Sequence, residues 1–225
     1  MTEVRAGYLI TAVAGLMLIV GGCGSTPPPD ASPTRQNRQL PADCTTRIGD
    51  PERAQMALAQ ALPGETVCLQ GNDLTDAELD MVASGTPNEP ITIVADGAVV
   101  RSLDINADYV IVDGFSLFDG AGLDMKGRGL VARNNVLYNS EADGILCDGC
   151  FDTIIESNTV RRADGTGIYL TGERIMVRDN AVSESVAITQ GDADGIRFFG
   201  PGHRLTGNTI KDIKETGYGN DPQGA

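Results

Sequence analysis

Residues 109–117 read YVIVDGFSL, and the pattern returns as GLVARNNVL at 129–137, TIIESNTV at 153–160, IMVRDNAV at 175–182 and HRLTGNTI at 203–210. Aligned on Phe115, Asn135, Asn158, Asn180 and Asn208, the copies stand 20, 23, 22 and 28 residues apart. A second set, GLDM at 122–125, GILC at 144–147, GIYL at 167–170 and GIRF at 195–198, repeats at 22, 23 and 28. Two registers sharing one period describe a solenoid, in which a repeat buries its apolar face only by stacking on the next. The runs are short, alternate apolar with other side chains and favour Val, Ile and Thr, so the repeating unit is a strand rather than a helix.

Three residues before the alignment points stand Val112, Ala132, Ile155, Val177 and Leu205, and two after them Leu117, Leu137, Val160, Val182 and Ile210. All are apolar, so stacked coils pile them into continuous columns. An Asn amide between them can bond the same amide one coil away, about 4.8 Å off, and Asn tolerates the left-handed conformation. The expected fold is all-β, a right-handed parallel β-helix, meaning a single-stranded solenoid of about six coils with an N-terminal capping α-helix. The cap is read at 51–62, PERAQMALAQAL: Asp50 is the N-cap, Pro51 suits N1, and Met56, Leu58, Ala59 and Leu62 form the apolar stripe.

Upstream, residues 8–20 are an apolar run followed by Gly21-Gly22-Cys23. That is the layout of an export signal with small residues before the cut, and the run is shorter than the ~20 residues a spanning helix needs. Cys23 resembles the acylated cysteine of a bacterial lipobox, and two acyl chains suffice for stable anchoring. The domain reading is a lipoprotein signal peptide at 1–22, a Pro- and Ser-rich disordered tether at 23–43, and a β-helix domain at 44–225, possible truncation at its C-terminus included. The expected location is the cell membrane, lipid-anchored and extracytoplasmic, with the protein a monomer. A net charge of −14 argues against a nucleic-acid partner. With Cys23 set aside, Cys44, Cys68, Cys147 and Cys150 make an even number in an exported domain, and the expected pairs are Cys44–Cys68 and Cys147–Cys150.

ALAQALPGETVCL at 57–69, SGTPNEPITIVADGAVV at 84–100 and DYVIVDGFSLFDG at 108–120 together resemble the first coils of the pectate-lyase-like β-helix superfamily, closest to its chondroitinase B and alginate lyase type. The resemblance implies binding or cleavage of polysaccharides, commonly acidic ones and often with calcium. The calcium-binding acids and Lys/Arg pair of those lyases belong to later coils, so none is carried onto a residue of this chain. Asp192 to Ile196 (DADGI) and the GPGH ending at His203 echo a polygalacturonase pattern, without its second acidic pair. His203 reads better as a strand-edge residue than as an acid.

The residues themselves point to one face. With Ile168 and Leu170 inward, Tyr169 and Thr171 face outward. The same phase gives an outward rail of Asp124 and Lys126, Leu146 and Asp148, Tyr169 and Thr171, Arg197 and Phe199. Aromatics stack on sugar faces and Arg grips carboxylates, so Lys126, Tyr169, Thr171 and Phe199 are candidate substrate contacts. Asp124, Asp148 and Arg197 are the candidate catalytic groups. Asp124 and Asp148, one coil apart and offset by two residues, sit about 8 Å apart on flat strands, inside the window of an inverting hydrolase. Asp164, Asp192 and Asp194 are candidate calcium ligands, with Asp-Gly turns an equal explanation. The functional expectation is a membrane-anchored β-helix that binds or processes polysaccharide. The alternatives are a lyase acting on a uronate-containing glycan and a non-catalytic envelope module.

Overall fold

The computed structural model describes residues 44, 47–71, 73–186 and 194–213. The leader, Cys23, the 23–43 tether, Asp192 and the final residues lie outside these. The described residues form a parallel β-solenoid of about six turns with one helix near its N-terminal end.

One sheet stacks eight strands: Arg47–Ile48, Thr66–Gln70, Ile91–Asp96, Val110–Asp113, Val131–Arg133, Ile154–Glu156, Met176–Arg178 and Arg204–Thr206. The other sheet covers two faces of the coil, joined by Ser116–Arg128, a strand of 13 residues that bends round a corner. On one of these faces Ser116–Arg128 pairs with Ile145–Phe151, then Ile168–Glu173 and Ile196–Phe199. Val99–Asn106 and Glu78–Met81 continue that face toward the N-terminus. On the third face it pairs with Val136–Tyr138, followed by Thr159–Arg161, Ala181–Ser183 and Thr209–Lys211. Every one of these pairings is parallel, and the registers reproduce the sequence alignment, with irregularities between Cys147 and Cys150 and between Val100 and Ser102.

The apolar columns make the core. Ala132, Ile155 and Val177 are fully buried, as are Leu137 and Val160. At the last described coil the columns open, with Leu205 and Ile210 36% and 48% exposed. Between the columns runs the amide ladder. Asn158 Oδ1 accepts from the backbone N and from Nδ2 of Asn135, both at 3.0 Å, while its own Nδ2 donates to Asn180 Oδ1 and to Ala132 O. Asn180 repeats this toward Asn208, and Phe115 N donates to Asn135 Oδ1 at the other end. The left-handed residue is not the ladder Asn but the one before it: Asn134, Ser157 and Asp179 have φ of 55°. The chain turns there, and the Asn that follows is free to point its amide inward.

Helix α1 (Pro51–Gln60) starts as expected, with Asp50 Oδ1 accepting from Arg53 N at 2.9 Å. Its stripe is corrected. Ala54, Leu58 and Ala61 are buried, whereas Met56 and Leu62 are exposed and so is Ala59. At 3.6 residues per turn, positions 54, 58 and 61 share one side and 56 lies opposite. Gln55 completes the seal: its Nε2 donates to Asp80 O and its Oε1 accepts from Asp80 N, each at 2.9 Å. A side-chain amide thus stands in for a neighbouring strand along an edge that would otherwise invite pairing. Both expected disulfides form, with Cα–Cα separations of 5.7 Å for Cys44–Cys68 and 5.6 Å for Cys147–Cys150.

Candidate functional site

Ile168 and Leu170 are fully buried, so Tyr169 and Thr171 project from the same strand toward solvent. Strand pairing then sets the neighbours. Tyr169 lies between Arg197 and Leu146, and Leu146 lies beside Asp124. The column runs two coils further than expected, with Asp104 beside Asp124 and Asp80 beside Asp104. Asp80, Asp104, Asp124, Leu146, Tyr169 and Arg197 therefore form one outward file along the solenoid. Two residues on, Lys126 pairs with Asn106, and Thr171 with Phe199.

Aligning the sequence on its glycines misses Asp80 and Asp104, because Glu78 and Ser102 stand where Gly122 does. The available signal is a triplet. Leu79-Asp80-Met81, Leu103-Asp104-Ile105 and Leu123-Asp124-Met125 place an acid between two inward residues, three coils in a row.

The file has two chemical halves. At the later coils the Tyr169 ring sits 6.0 Å from that of Phe199, which is 54% exposed. Arg197 Nε donates to Asp194 Oδ2 at 2.6 Å, so a guanidinium already balances that candidate calcium ligand. At the earlier coils acid stacks on acid. Burial, then the neighbouring Asp80, raises the Asp104 carboxyl above its ordinary range. Burial pushes Asp124 up to about 6, with the charges of Asp104, Asp143 and Asp148 adding to it. Asp143 joins this group. Its carboxyl is raised by burial and opposed by the Thr166 N–H, which donates to Asp143 Oδ1 at 2.7 Å, and by Arg197. Other neighbours one coil apart join opposite signs, as in Asp113 with Arg133, Glu156 with Arg178 and Glu184 with Arg161. The acidic half has no such pairing between Asp80, Asp104 and Asp124.

Asp148 stands beside Thr171, its Oδ1 accepting from Thr171 Oγ1 at 2.8 Å. The strand carrying it has one residue more than its neighbours between Cys147 and Cys150, so its spacing to Asp124 is not that of flat strands. Asp164 lies on the turn before Gly167, its backbone N donating to Ser140 O at 2.9 Å. Among the described residues no group of three or more His, Cys, Asp or Glu is arranged to hold a metal ion. His203 is bonded within its own corner, Nδ1 accepting from Ile175 N at 3.3 Å and Nε2 lying 3.0 Å from Phe199 O.

A carboxyl held at about 6 favours its neutral form, so its stabilising effect is complete below the ordinary carboxylate range and is lost as pH rises through 6. Asp124→Asn is expected to stabilise the domain at pH 7.5 by about 1 kcal/mol, a value reduced for the solvent screening of a half-buried group. The gain should vanish near pH 4. Thermal melts of both proteins across that range read it directly, and an equal effect at both ends would contradict the assignment.

A family model described as the right handed beta helix region matches residues 105–210. No curated protein matches the sequence. Among solved structures, the alginate lyase from Paenibacillus sp. str. FPU-7 is similar with a TM-score of 0.53 and 17% identity, over 74% of this chain and 74% of that one. Pectate lyase Pel9A gives 0.55 at 17% identity, over 76% of this chain and 50% of that one. This chain thus spans about half the length of that enzyme. At such identity the likeness is one of fold.

Proposed function

Starting from a right-handed parallel β-helix of the fold also found in pectate and alginate lyases, we propose that this protein binds a polysaccharide along the file from Asp80 to Arg197. The observation that carries the reading is the in-register stacking of that file. A chain laid across the strands meets an equivalent position once per coil, and a repeating ligand suits a repeating surface. Tyr169 and Phe199 offer ring faces to sugars, and Arg197 offers a donor to hydroxyls or carboxylates. The Asp104–Asp124 half accepts hydroxyl hydrogens and repels a uronate, so an acidic glycan would need a cation over that half. The acylated Cys23 would hold the domain outside the membrane, where such glycans occur. Cys23→Ser should then release the protein into the soluble fraction, and retention in the membrane fraction would refute the anchor.

The binding test is retention of the purified domain on acidic, neutral and amino-sugar glycans, with and without calcium. Tyr169→Ala and Arg197→Ala are each expected to weaken retention about tenfold, the size of one good anchoring contact. If nothing is retained, or both variants bind like the parent, the reading fails.

One observation favours a catalytic version. A carboxyl at about 6 beside other acids is suited to carry a proton and give it to a leaving oxygen. In that version Asp124 is the acid and Asp148 the base. New reducing ends would mark hydrolysis, and new ultraviolet absorbance from unsaturated uronate would mark a lyase.

A further inference from the structure

In the strand Ile145–Phe151 the register slips against both neighbours at once: Asp148 and Gly149 together face the single residues Lys126 on one side and Thr171 on the other. The partners of Cys150 explain why. In the adjoining coils this position is Gly127 and Gly172, with φ of 143° and 126°, where a Cβ would strike the backbone of the preceding coil. Cys150 carries a Cβ and is fully buried. The left-handed turn is taken instead by the additional Gly149, at φ 74° with nothing within 4 Å of where a Cβ would stand. Cys150 is thereby turned inward to meet Cys147, also fully buried. The same insertion puts Asp148 on the exposed surface. There Thr171 Oγ1 donates to Asp148 Oδ1 at 2.8 Å and accepts from Gly149 N at 2.7 Å.

Stability alone is a weak reason for such a bond. A disulfide restrains the unfolded chain in proportion to the logarithm of the loop that it closes, and this one spans a separation of 3, against 24 for Cys44–Cys68. We propose that Cys147 and Cys150 are positioning residues: their disulfide holds the Asp148–Gly149 bulge outward and fixes the Asp148 carboxylate against Thr171, next to Asp124 on the same face. The functional consequence rests on the glycan-binding reading above; the placement of Asp148 does not.

Two variants test it. Cys147→Ala with Cys150→Ala removes the bond. Cys147→Leu and Cys150→Gly with Gly149 deleted rewrites the strand in the pattern of Leu170-Thr171-Gly172, and is expected to fold even if the first variant does not. Carboxyl-carbon NMR titrations of Asp124 and Asp148 are the primary readout, since a bond that only staples the strand would leave them in place. In the regularised coil the Asp124 midpoint should move by about half a pH unit or more as the like charge is relocated. Glycan retention should fall about tenfold. A folded variant whose two carboxyls titrate as in the parent would overturn the proposal. A parent protein that retains no glycan, yet shows the titration shift, would refute the binding reading and support the positioning.

Discussion

Asn158→Ala is expected to lower the free energy of unfolding by about 4 kcal/mol, the cost of several buried polar groups left without partners. The side chain makes four bonds at once. Its Oδ1 takes the backbone N and the Nδ2 of Asn135, and its Nδ2 serves Ala132 O and Asn180 Oδ1. Asn158 is 1% exposed and Asn135 is fully buried, so water cannot replace what is lost. The cavity left by the amide is small, so most of the loss comes from stranding its former partners away from water. Asn208, at the half-buried last described rung, provides the internal comparison: Asn208→Ala should cost roughly 1 kcal/mol because solvent takes up part of the load. Urea unfolding followed by far-ultraviolet circular dichroism measures both. Equal losses for the two variants would show that the ladder is not what holds the interior together.

Gly172→Ala is the second large effect, expected at about 3 kcal/mol or more, or as failure to accumulate folded protein. Gly172 sits at φ 126°, a region that L side chains rarely enter, and an added methyl would land on the carbonyl of Cys150 in the coil before. The obstacle is backbone, so no rotamer change relieves it. Gly149→Ala separates the two causes. Gly149 also has positive φ, at 74°, but nothing lies within 4 Å of its would-be Cβ. It should lose only the ~1–2 kcal/mol of the left-handed conformation. Thermal unfolding of the pair checks the difference, and a Gly172→Ala protein as stable as Gly149→Ala would rule out the close contact as the cause.

The period and the columns were legible in the chain because they depend on side-chain type alone. Val112, Ala132, Ile155 and Val177 are apolar in sequence and buried in space for the same reason. The outward file at Asp124, Leu146, Tyr169 and Arg197 followed from the two-residue alternation of a strand, and the pairings agree with it. What escaped was whatever depends on the backbone path. The bulge at Asp148 comes from one additional residue whose effect is visible only against both neighbouring coils. The acidic start of the file escaped because Asp80 and Asp104 lack the leading glycine of the later repeats. The helix stripe was misread because its buried contacts are two alanines and one leucine, Ala54, Ala61 and Leu58, while the bulkier Met56 and Leu62 face solvent.

The amide ladder also sets what this architecture tolerates as it diversifies. Each rung's amide bonds to the coils directly before and after it, and asks nothing of the chain length in between. The step from Asn180 to Asn208 is 28 residues where its predecessor is 22, yet the bonds across it, 3.0 Å to the backbone N and 2.9 Å to Nδ2, match those of the shorter coils. Insertions can therefore accumulate between Ser183 and Gly195, at the approach to Arg197, without retuning the interior.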